Sequence, residues 1–451
     1  MRSDDYRQLS FWHDTVPDDL TPRPALDGDR EVDVAIIGGG LTGLWTAWYL
    51  LQRDPALSIA VLEREIVGFG ASGRNGGWCS ALFPRSTASL ERRHGREAAL
   101  AMRRAMIATV DEVGRQATAA GLDIDWAKAG TIAYARSPVQ LAAARAEVTE
   151  AARYGVDEVE LLGAQPNGAL GATLDAACAR IHPAKLVRGL ARALESRGVS
   201  ILERTAVTSW SPGRVHTDRG TVRADTVIVA LEGYGAALQQ TRRDVLPLYS
   251  LMIATEPLPA AVWDELGIPH GRTFTDYRHL LVYGQRTADD RIAFGGRGAR
   301  YHWGSAIEPG YDRVPHVFAH LRRALLDLFP PLRDVAVTHT WGGPLGVPRD
   351  WHASVRFDPT TRIGSAGGYV GDGLSTTNLA GRTLADLITG TDSDLMHLPW
   401  VQHRSPRWEP EPLRFAGANA GLLAMQAADA EERLTGRPSV AAKLMAPLVG
   451  H

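Results

Sequence analysis

An apolar strand that runs directly into a glycine-rich turn is the feature that most constrains the fold of this chain. Residues 32–37 read Val-Asp-Val-Ala-Ile-Ile, and Gly-Gly-Gly-Leu-Thr-Gly follows at residues 38–43. In such a turn the first glycine permits a tight bend, the second lets the backbone approach a pyrophosphate, and the third lets the next helix pack closely. This order of elements predicts a parallel βαβ unit that binds a dinucleotide.

The residues after the turn complete this pattern. A helix predicted from Leu41 to about Arg53 would point its free N–H groups and the positive end of its dipole at the phosphates. The next apolar strand, residues 58–62, ends at Glu63, whose carboxylate would accept hydrogen bonds from the ribose hydroxyls. A glycine turn alone often binds nothing, but strand, turn, helix, strand and acid in this order favour dinucleotide binding.

Two further glycine-rich segments extend the predicted site. Residues 68–77 read Gly-Phe-Gly-Ala-Ser-Gly-Arg-Asn-Gly-Gly, and residues 363–373 form a strand and a turn before a helix predicted from Leu374 to Ile388. The N–H groups at the start of that helix would face the flavin N1–O2 edge, where negative charge develops on reduction. A helix start without a ligand is the alternative interpretation of the third segment. The second segment favours FAD over NAD.

Composition and charge argue against several other classes. The chain has 451 residues, 45% of them hydrophobic, which is enough for two or three domains. A net charge of −2 provides no basic surface for nucleic acid. Cys79 and Cys178 form no CxxC pair, which argues against a zinc site or a disulfide framework and predicts a cytoplasmic protein. No apolar run reaches the roughly 18 residues of a membrane span, and no signal peptide is recognisable.

The rest of the pattern predicts an α/β fold combined with antiparallel β structure. The continuous apolar run at residues 225–230 is typical of a buried parallel strand, whereas residues 248–300 predict a separate antiparallel sheet. We therefore expect a Rossmann-like FAD-binding domain interleaved with a substrate domain of mixed antiparallel sheet and helices. The predicted segments are 31–84, 172–247 and 336–392 for the FAD-binding domain, 85–171 and 248–335 for the substrate domain, 1–30 for an irregular N-terminal arm that docks through Phe11 and Trp12, and 393–451 for a C-terminal extension with a helix at about 417–434.

Six sequence blocks carry a resemblance to a known family. They are residues 38–43, 68–77, 182–186 (His-Pro-Ala-Lys-Leu), 254–258 (Ala-Thr-Glu-Pro-Leu), 291–296 (Arg-Ile-Ala-Phe-Gly-Gly) and 371–381. In these blocks the chain resembles the FAD-dependent amine and amino-acid oxidoreductases of the D-amino-acid oxidase and sarcosine oxidase superfamily, and most closely the γ-glutamylputrescine oxidase branch. The blocks cover most of the chain in the family's order, and residues 68–77 are the most specific.

The resemblance implies an FAD that lies across the parallel domain, with its isoalloxazine at the boundary with the substrate domain. The residues implied to contact FAD are Gly38, Gly40, Leu41, Thr42 and Gly43 at the pyrophosphate, Glu63, Arg64 and Val207 at the adenosine, Gly70, Ala71, Ser72, Arg74, Asn75, Gly76 and Gly77 along the diphosphate and flavin, and Gly371, Gly373 and Leu374 at the far edge of the flavin. The family's reaction transfers hydride from the carbon beside an amine nitrogen to flavin N5, and the resulting imine hydrolyses.

This chemistry asks little of acid–base side chains, because the flavin accepts the electrons. An aromatic wall that lowers the pKa of the substrate amine would assist it. The candidate catalytic residues are His279, Tyr283, Arg297 and Trp341. On a strand that includes residues 280–283, His279 and Tyr283 would share the face toward the flavin. Arg278 or Arg297 would hold a substrate carboxylate in a bidentate pair. The alternative is that these residues belong to the core or the surface.

Three departures from the family pattern limit what the resemblance implies. Sarcosine oxidases attach FAD to a cysteine of the C-terminal cofactor segment, and neither cysteine of this chain lies there, so non-covalent FAD is expected. Those enzymes place a lysine over the flavin to activate oxygen, and no lysine stands between Lys185 and Lys443. Oxidase and dehydrogenase therefore both stay open. Gly284 and Gln285 replace the aromatic residue and arginine of the γ-glutamylputrescine branch. The substrate of that branch is therefore not assigned to this chain.

The sequence thus predicts oxidation of a C–N bond in a small amine or amino-acid-like substrate, with O2 or another electron acceptor and an open oligomeric state. A flavin monooxygenase is the main rival, since Gly371-Asp372 matches the Gly-Asp motif of aromatic hydroxylases. The residues that follow, 373–377, do not continue that motif. An NAD-dependent dehydrogenase would not require the second and third glycine segments. A flavoprotein with a binding or scaffolding role is the remaining alternative.

Overall fold

Two eight-stranded β-sheets form the body of the molecule. The computed structural model describes residues 3–156 and 158–445. The strands in these residues are β1 (Arg30–Ile37), β2 (Ile59–Leu62), β3 (Trp78–Ser80), β4 (Thr131–Ala135), β5 (Val159–Leu162), β6 (Gly171–Asp175), β7 (Cys178–Arg180), β8 (Ser200–Leu202), β9 (Val207–Ser211), β10 (Arg214–Thr217), β11 (Thr221–Val229), β12 (Val245–Thr255), β13 (Thr273–Asp276), β14 (Val282–Arg286), β15 (Ile292–Arg297), β16 (Val337–Pro348), β17 (Ser354–Asp358) and β18 (Ile363–Gly367). The α-helices are α1 (Ser3–Arg7), α2 (Phe11–Thr15), α3 (Leu41–Arg53), α4 (Thr87–His94), α5 (Arg96–Ala119), α6 (Pro138–Tyr154), α7 (Pro183–Glu195), α8 (Ala260–Leu266), α9 (Pro315–Leu328), α10 (Gly373–Thr389), α11 (Leu413–Thr435) and α12 (Val440–Met445).

The first sheet has the parallel centre that the sequence predicts. Strand β1 pairs in parallel with β2 on one side and β11 on the other, while β8 and β18 extend the parallel order outward. Strand β17 closes one edge in antiparallel pairing, and the β9–β10 hairpin attaches to β11. All four side chains of β2 are buried, which is the pattern of a parallel strand covered on both faces. The Rossmann-like α/β fold is confirmed.

Helices α3 and α10 bring two of the predicted glycine turns together. A Cβ added to Gly381 of α10 would lie 2.6 Å from the carbonyl carbon of Trp45 in α3, so the two helices touch backbone to backbone. Near their N-terminal ends, the Thr42 hydroxyl hydrogen-bonds the Tyr369 hydroxyl at 3.0 Å. Near their C-terminal ends, Arg53 of α3 pairs with Asp386 of α10, so the helices run in the same direction and both N-termini face the same region of the molecule.

The second sheet has the strand order β16-β12-β15-β14-β13-β4-β6-β5, and its neighbouring strands are antiparallel except for β13 and β4. The predicted antiparallel sheet in residues 248–300 is confirmed. Strand β16 pairs with β12 along its whole length, so residues 337–348 join this sheet, not the parallel one in which the predicted boundary at 336 placed them. Strand β6, all but its first residue within the predicted segment 172–247, also lies in the second sheet. Hydropathy does not specify which sheet an apolar strand joins.

The N-terminal arm docks as predicted but is not irregular. It contains α1 and α2, and Phe11 and Trp12 are each only 1% exposed. The C-terminal extension contains α11, which begins four residues before the predicted helix, and the short helix α12. Within the described residues, no helix combines the length and the apolar character needed to cross a membrane.

Candidate active site

A groove runs along the carboxyl ends of the parallel strands, where the glycine turns meet. Most of the residues predicted to contact FAD line it. They are Gly38, Gly40, Leu41, Thr42, Glu63, Arg64, Gly70, Ala71, Ser72, Asn75, Val207, Gly371, Gly373 and Leu374. The remaining four, Gly43, Arg74, Gly76 and Gly77, do not line this groove.

The first glycine turn fits a pyrophosphate. Gly38 has φ +112°, and a Cβ there would lie 2.5 Å from the Ala230 carbonyl oxygen, so a side chain is excluded twice over. At the start of α3, the Leu41 N–H donates to Ser72 Oγ at 2.8 Å. The N–H of Thr42 finds no acceptor in the described part of the chain and is available to an anionic ligand.

Gly43 acts in packing and does not contact the groove. A Cβ at this position would lie 2.3 Å from the Gly38 carbonyl oxygen and 2.9 Å from Ile36 Cγ2. The prediction that Gly43 meets the pyrophosphate is therefore wrong, because its position one turn into α3 places it against β1. Its other predicted role, allowing the helix to approach the strand, agrees with this geometry.

Glu63 lies where a ribose-binding carboxylate is required. Its Oε2 accepts the Gly39 N–H at 2.9 Å, and its Oε1 accepts the Glu65 N–H at 2.9 Å. Burial raises the pKa of Glu63, while these two hydrogen bonds lower it. Each carboxylate oxygen has a second lone pair, so the backbone fixes the group and leaves it able to accept ribose hydroxyls. The guanidinium of neighbouring Arg64 lies 5.6 Å from the centre of the Tyr234 ring.

The loop at residues 70–77 is held in place by hydrogen bonds from its own side chains and from two tryptophans that pack behind it. Asn75 Nδ2 donates to the Ala71 carbonyl at 3.0 Å, and Asn75 Oδ1 accepts the Gly77 N–H at 2.8 Å. Behind the loop, Trp12 Nε1 donates to the Asn75 carbonyl at 2.7 Å, and Trp341 Nε1 donates to the Arg74 carbonyl at 2.9 Å.

The prediction that Trp341 is a catalytic residue beside the substrate is therefore wrong. It is 1% exposed and packs with Phe11 and Trp12, so it supports the loop and forms no part of a substrate wall. The strand that carries it pairs with β12, and its register sends this side chain into the core. The spacing of residues in the sequence does not predict this register, because it depends on pairing with a strand about ninety residues away.

A second cavity opens from the end of the groove. The two spaces share Ala71, Asn75, Leu345, Gly371 and Leu374 in their walls, so one extended molecule can reach from the groove into the cavity. The other side chains of interest in the cavity wall come from distant parts of the chain. They are Arg74, Trp78, Ser250, Thr275, Tyr283, Arg297 and Asp372. The backbone of Gly76 also lines this cavity.

Tyr283 forms an aromatic wall of this cavity, together with Trp78. Its hydroxyl hydrogen-bonds Ser250 Oγ at 2.8 Å, and its ring lies 6.0 Å from that of Trp78. The ring also packs against the loop, because a Cβ on Gly76 would lie 2.5 Å from it. Burial is the main cause that raises the pKa of the Tyr283 hydroxyl, so the side chain is neutral at physiological pH.

Gly77 lets the backbone of the loop approach the second sheet closely, because it has no side chain. It has φ +69°, and a Cβ there would lie 2.1 Å from Gln285 Nε2. The same amide nitrogen donates to the Gly76 carbonyl at 2.6 Å. Gln285 therefore fixes the end of the loop from the second sheet, which the sequence did not predict.

Two arginines reach the cavity in different ways. Arg74 is 5% exposed and donates to Asp312 Oδ2 at 2.9 Å, to the Gly342 carbonyl at 2.9 Å and to the Tyr234 hydroxyl at 2.7 Å. Its charge is thus balanced within the protein. Arg297 donates from Nη2 to the Val370 carbonyl at 2.8 Å, the one hydrogen bond that its side chain makes to described residues. Burial lowers the pKa of Arg297, and Asp372 counteracts this.

His279 and Arg278 lie outside this site. The His279 N–H donates to Asp429 Oδ1 at 2.7 Å, and its Nε2 lies 2.9 Å from Glu432 Oε1, both on α11. Arg278 pairs with Asp276 at 2.6 Å. The prediction that His279 and Tyr283 share a strand face is wrong, because β14 begins only at Val282 and the alternation does not extend back to residue 279.

Several residues of the two cavities were not predicted. Ser250 comes to the site through the pairing of distant strands, and nothing in its local sequence signals it. Trp78 directly follows the glycine segment at residues 68–77, which did indicate that it lies near the site. Asp372 stands in the third glycine segment, so its position did carry a signal. Tyr234 and Glu232 line the groove after β11. Glu232 accepts the N–H groups of Gly368 and Tyr369, and burial raises its pKa to about 7.

Comparison with known proteins places this arrangement in a family. The family model described as "FAD dependent oxidoreductase" matches residues 33–387. The gamma-glutamylputrescine oxidoreductase of Escherichia coli K12 is 31% identical over 405 residues, which cover 86% of this chain and 92% of that protein. The sarcosine oxidase subunit beta of an Arthrobacter species is 24% identical over 83% of this chain and 91% of its own length. The crystal structure of glycine oxidase from Geobacillus kaustophilus superimposes with a TM-score of 0.66 at 22% identity, covering 83% of this chain and 99% of that one.

The family match and the site agree. The groove supplies the free N–H at a helix start, the fixed carboxylate and the three glycine turns that FAD requires, and the family model spans all of them. The chain therefore belongs to the DAO family of FAD-dependent oxidoreductases.

Proposed function

We propose that this protein uses FAD to oxidise a C–N bond of a small amine or amino-acid-like substrate. The observation that carries the proposal is the second cavity, which continues from the end of the nucleotide groove and combines an aromatic wall with the Arg297 guanidinium. The names of two relatives, gamma-glutamylputrescine oxidoreductase and sarcosine oxidase, support an amine substrate. The match to both extends over more than four fifths of the chain.

The groove residues divide the work of holding FAD. The N–H of Thr42 would bind the pyrophosphate, Glu63 would accept the ribose hydroxyls, and the backbone near Val207 would meet the adenine. The N–H groups at the start of α10, after Gly371, would stabilise negative charge on the flavin. When bound, FAD supplies the acceptor for two electrons and a hydrogen from the substrate.

The attachment of FAD is proposed to be non-covalent. Cys79 and Cys178 are both buried and line neither the groove nor the second cavity. Burial raises the pKa of each thiol, which keeps it protonated and unreactive. Precipitation of the purified protein with acid should release all of the yellow colour into solution, whereas colour that stays with the protein would contradict this attachment.

The cavity residues divide the work of holding the substrate. Trp78 and Tyr283 would exclude water from the reacting carbon and disfavour the charged form of the amine. Arg297 has further N–H donors beyond the one used by Val370, and these suit a substrate carboxylate. A substrate with an amine and a carboxylate a few bonds apart therefore fits best.

Oxygen is the acceptor that we propose for the reduced cofactor, with hydrogen peroxide as product. Another electron acceptor, as in a dehydrogenase, is the alternative. The sequence difference that leaves this open is the lack of a lysine between Lys185 and Lys443.

Anaerobic flavin reduction tests the proposal. The yellow holoenzyme is mixed without oxygen with polyamines, γ-glutamyl amines, N-methyl amino acids and D-amino acids, and loss of the visible flavin band is followed. We expect at least one amine to bleach the flavin without NAD(P)H, and bleaching that requires NAD(P)H would instead support a monooxygenase. Air is then admitted. Fast reoxidation with peroxide supports the oxidase, and a flavin that stays reduced supports the dehydrogenase.

A further inference from the structure

We propose that Asp372 is a catalytic residue that binds the ammonium group of the substrate in the second cavity and accepts its proton. This inference rests on the proposed amine oxidation. Asp372 lines the cavity and directly follows Gly371, which lines both the cavity and the FAD groove. Its carboxylate therefore stands next to the place where the two spaces meet, close to any substrate that approaches the end of the cofactor.

The carboxylate of Asp372 has no partner in the described protein. No hydrogen bond ends on its oxygens, and no cationic nitrogen lies within 4.0 Å of them. Other buried or half-buried carboxylates of this region are paired. Asp312 accepts Arg74 at 2.9 Å, Asp386 accepts Arg53 at 2.7 Å, and Glu232 accepts two backbone N–H groups. Asp372 is half-buried and its carboxylate lines the cavity, so a ligand that fills the cavity and displaces water has to supply a donor to it.

The charged surroundings favour a ligand with two opposite charges. The charged or titratable side chains in the wall of this cavity are Arg74, Tyr283, Arg297 and Asp372. Arg74 is neutralised by Asp312. Arg297 and Asp372 act on one another electrostatically but form no direct ion pair, which leaves one positive and one negative group facing the same space. An amino acid or another amine that carries a carboxylate has the complementary charges.

Asp372 is also the group of this wall that titrates near neutral pH. Burial raises its pKa to about 6, and Arg297 opposes the increase. The hydroxyl of Tyr283, from β14, stays protonated because burial raises its pKa. The guanidinium of Arg297, from β15, stays charged at ordinary pH. Arg74, from the loop at residues 70–77, is already paired with Asp312. The cavity therefore contains one acceptor that is ionised at pH 7 and basic enough to take a proton.

The proposed step is the transfer of one proton from the substrate to Asp372. The substrate enters as an ammonium, R2CH–NH3⁺, and Asp372 as a carboxylate. One proton moves from nitrogen to a carboxylate oxygen, so that an N–H bond breaks, an O–H bond forms and no electrons are transferred. The products are the neutral amine and a neutral carboxylic acid. The neutral amine has the lone pair that loss of hydrogen from the neighbouring carbon requires, and the aromatic wall favours both uncharged forms.

This assignment restricts the substrate class. A reactive amine must carry a proton that it can give to Asp372, so primary, secondary and tertiary ammonium groups qualify. A quaternary ammonium group with a carboxylate should bind between Asp372 and Arg297 and should not be oxidised.

The decisive variant is Asp372→Asn, which keeps the size of the side chain and cannot accept the proton. Anaerobic flavin reduction is measured against pH with the amine that reduces the wild type fastest. For the wild type we expect the apparent second-order rate constant to rise through a pKa near 6. For Asp372→Asn we expect a loss of about 10²–10⁴-fold at neutral pH. The rate should recover as pH rises toward the pKa of the amine itself, because the free base then needs no acceptor.

Two further variants control this experiment. Asp372→Glu should restore part of the rate at neutral pH, because it restores a base. Asp394→Asn changes an exposed acid and should leave the rate unchanged. A wild-type rate for Asp372→Asn at neutral pH overturns the proposal. So does an Asp372→Asn rate that is low at every pH, because that result indicates a structural role.

Binding without turnover gives an independent readout. Calorimetry of the holoenzyme near pH 6 compares glycine betaine with 3,3-dimethylbutanoate, which has the same shape without the positive charge. We expect the wild type to prefer betaine by about tenfold and to release protons on binding it, seen as a heat that depends on the buffer. Asp372→Asn should lose both effects. Equal affinity of the wild type for the two ligands, absence of any betaine binding, or an unchanged preference in the variant overturns the assignment.

The two hypotheses fail in different ways. If no amine reduces the wild-type flavin, the proposed function fails. If amines reduce the wild type, and Asp372→Asn shows neither the altered pH profile nor the altered ligand preference, only the role of Asp372 fails.

Discussion

The FAD groove and the second cavity are adjacent, yet they are built from different parts of the chain. The groove is largely a backbone structure, made by turns at residues 38–43, 68–77 and 368–373 whose glycines exclude side chains. The cavity is made of side chains, such as Trp78, Tyr283 and Arg297, that three separate strands bring together. A site built from backbone requires particular residue types, mainly glycine, at a few positions of the sequence. A site built from side chains can change its ligand while the fold remains.

The largest effect should come from the backbone site, with Gly38→Ala. A Cβ at this position meets the Ala230 carbonyl oxygen at 2.5 Å, and φ is +112°. Overlap and backbone strain together should cost about 3 kcal/mol or more. We expect the purified variant to contain less than about a tenth of the wild-type FAD, measured from the ratio of flavin to protein absorbance. Gly28→Ala is the control, because it has φ +79° with open space around it and should cost only about 1 kcal/mol. Full FAD content in Gly38→Ala would show that the backbone site tolerates a side chain at this turn.

The next largest effect should come from the cavity, with Arg297→Met. Loss of a bidentate carboxylate pair should weaken binding of carboxylate-bearing amines about 100-fold, or about 2.7 kcal/mol. Amines that lack a carboxylate should be affected far less, and FAD content should stay that of the wild type. Saturation of the anaerobic reduction rate measures this difference, and Arg300→Met, an exposed arginine three residues away, is the control. An equal loss for both classes of amine would contradict the role of Arg297.

A smaller effect should appear in the pH dependence of stability, through Glu232 in the groove. Burial raises the pKa of Glu232 to about 7, above its ordinary value of 4.5, so the folded protein holds this proton more tightly than the unfolded chain. The stability that this provides is complete below the ordinary value and is lost as pH rises toward 7. Glu232→Gln cannot ionise, so its melting temperature should exceed that of the wild type by an amount that grows to about 2–5 °C at pH 8. Differential scanning fluorimetry at fixed FAD concentration measures it, and a constant difference across pH would count against a buried ionising group.

The smallest effect is expected for His279→Gln. His279 contacts Asp429 and Glu432 on α11 and does not line the second cavity. Its contact with Glu432 is partly exposed and should contribute less than about 1 kcal/mol. Flavin reduction by the best amine should stay within about twofold of the wild type. A loss of tenfold or more would return His279 to the active site and would show that residues 277–281 adopt a different conformation in solution.

The groove was largely predictable because its determinants are local. The first and third glycine turns each lie between a strand and a helix of the same short segment, and the second runs directly into β3. The local sequence therefore indicates where the backbone can approach a dinucleotide. Gly43 is the exception, since its place one turn into α3 turns it toward β1. Glu63 was found because the end of β2 fixes it.

The cavity was predictable only in part, because strand pairing assembles it. Tyr283 and Arg297 were named as candidates and do line it, although their roles are still proposals. Ser250 reaches Tyr283 only because β14 and β12 both pair with β15. Trp341 fails for the same reason, since its register against β12 directs it into the core. His279 fails because a turn interrupts the alternation that the sequence suggested.

The central claim is that a molecule in the second cavity passes electrons to FAD held in the groove. The most direct test is anaerobic mixing of the yellow wild-type holoenzyme with the amine panel while the visible flavin band is recorded. The account predicts that at least one amine with a carboxylate removes this band without NAD(P)H, at a rate that saturates with amine concentration. A flavin that no amine reduces, although NAD(P)H or dithionite does, would contradict the account.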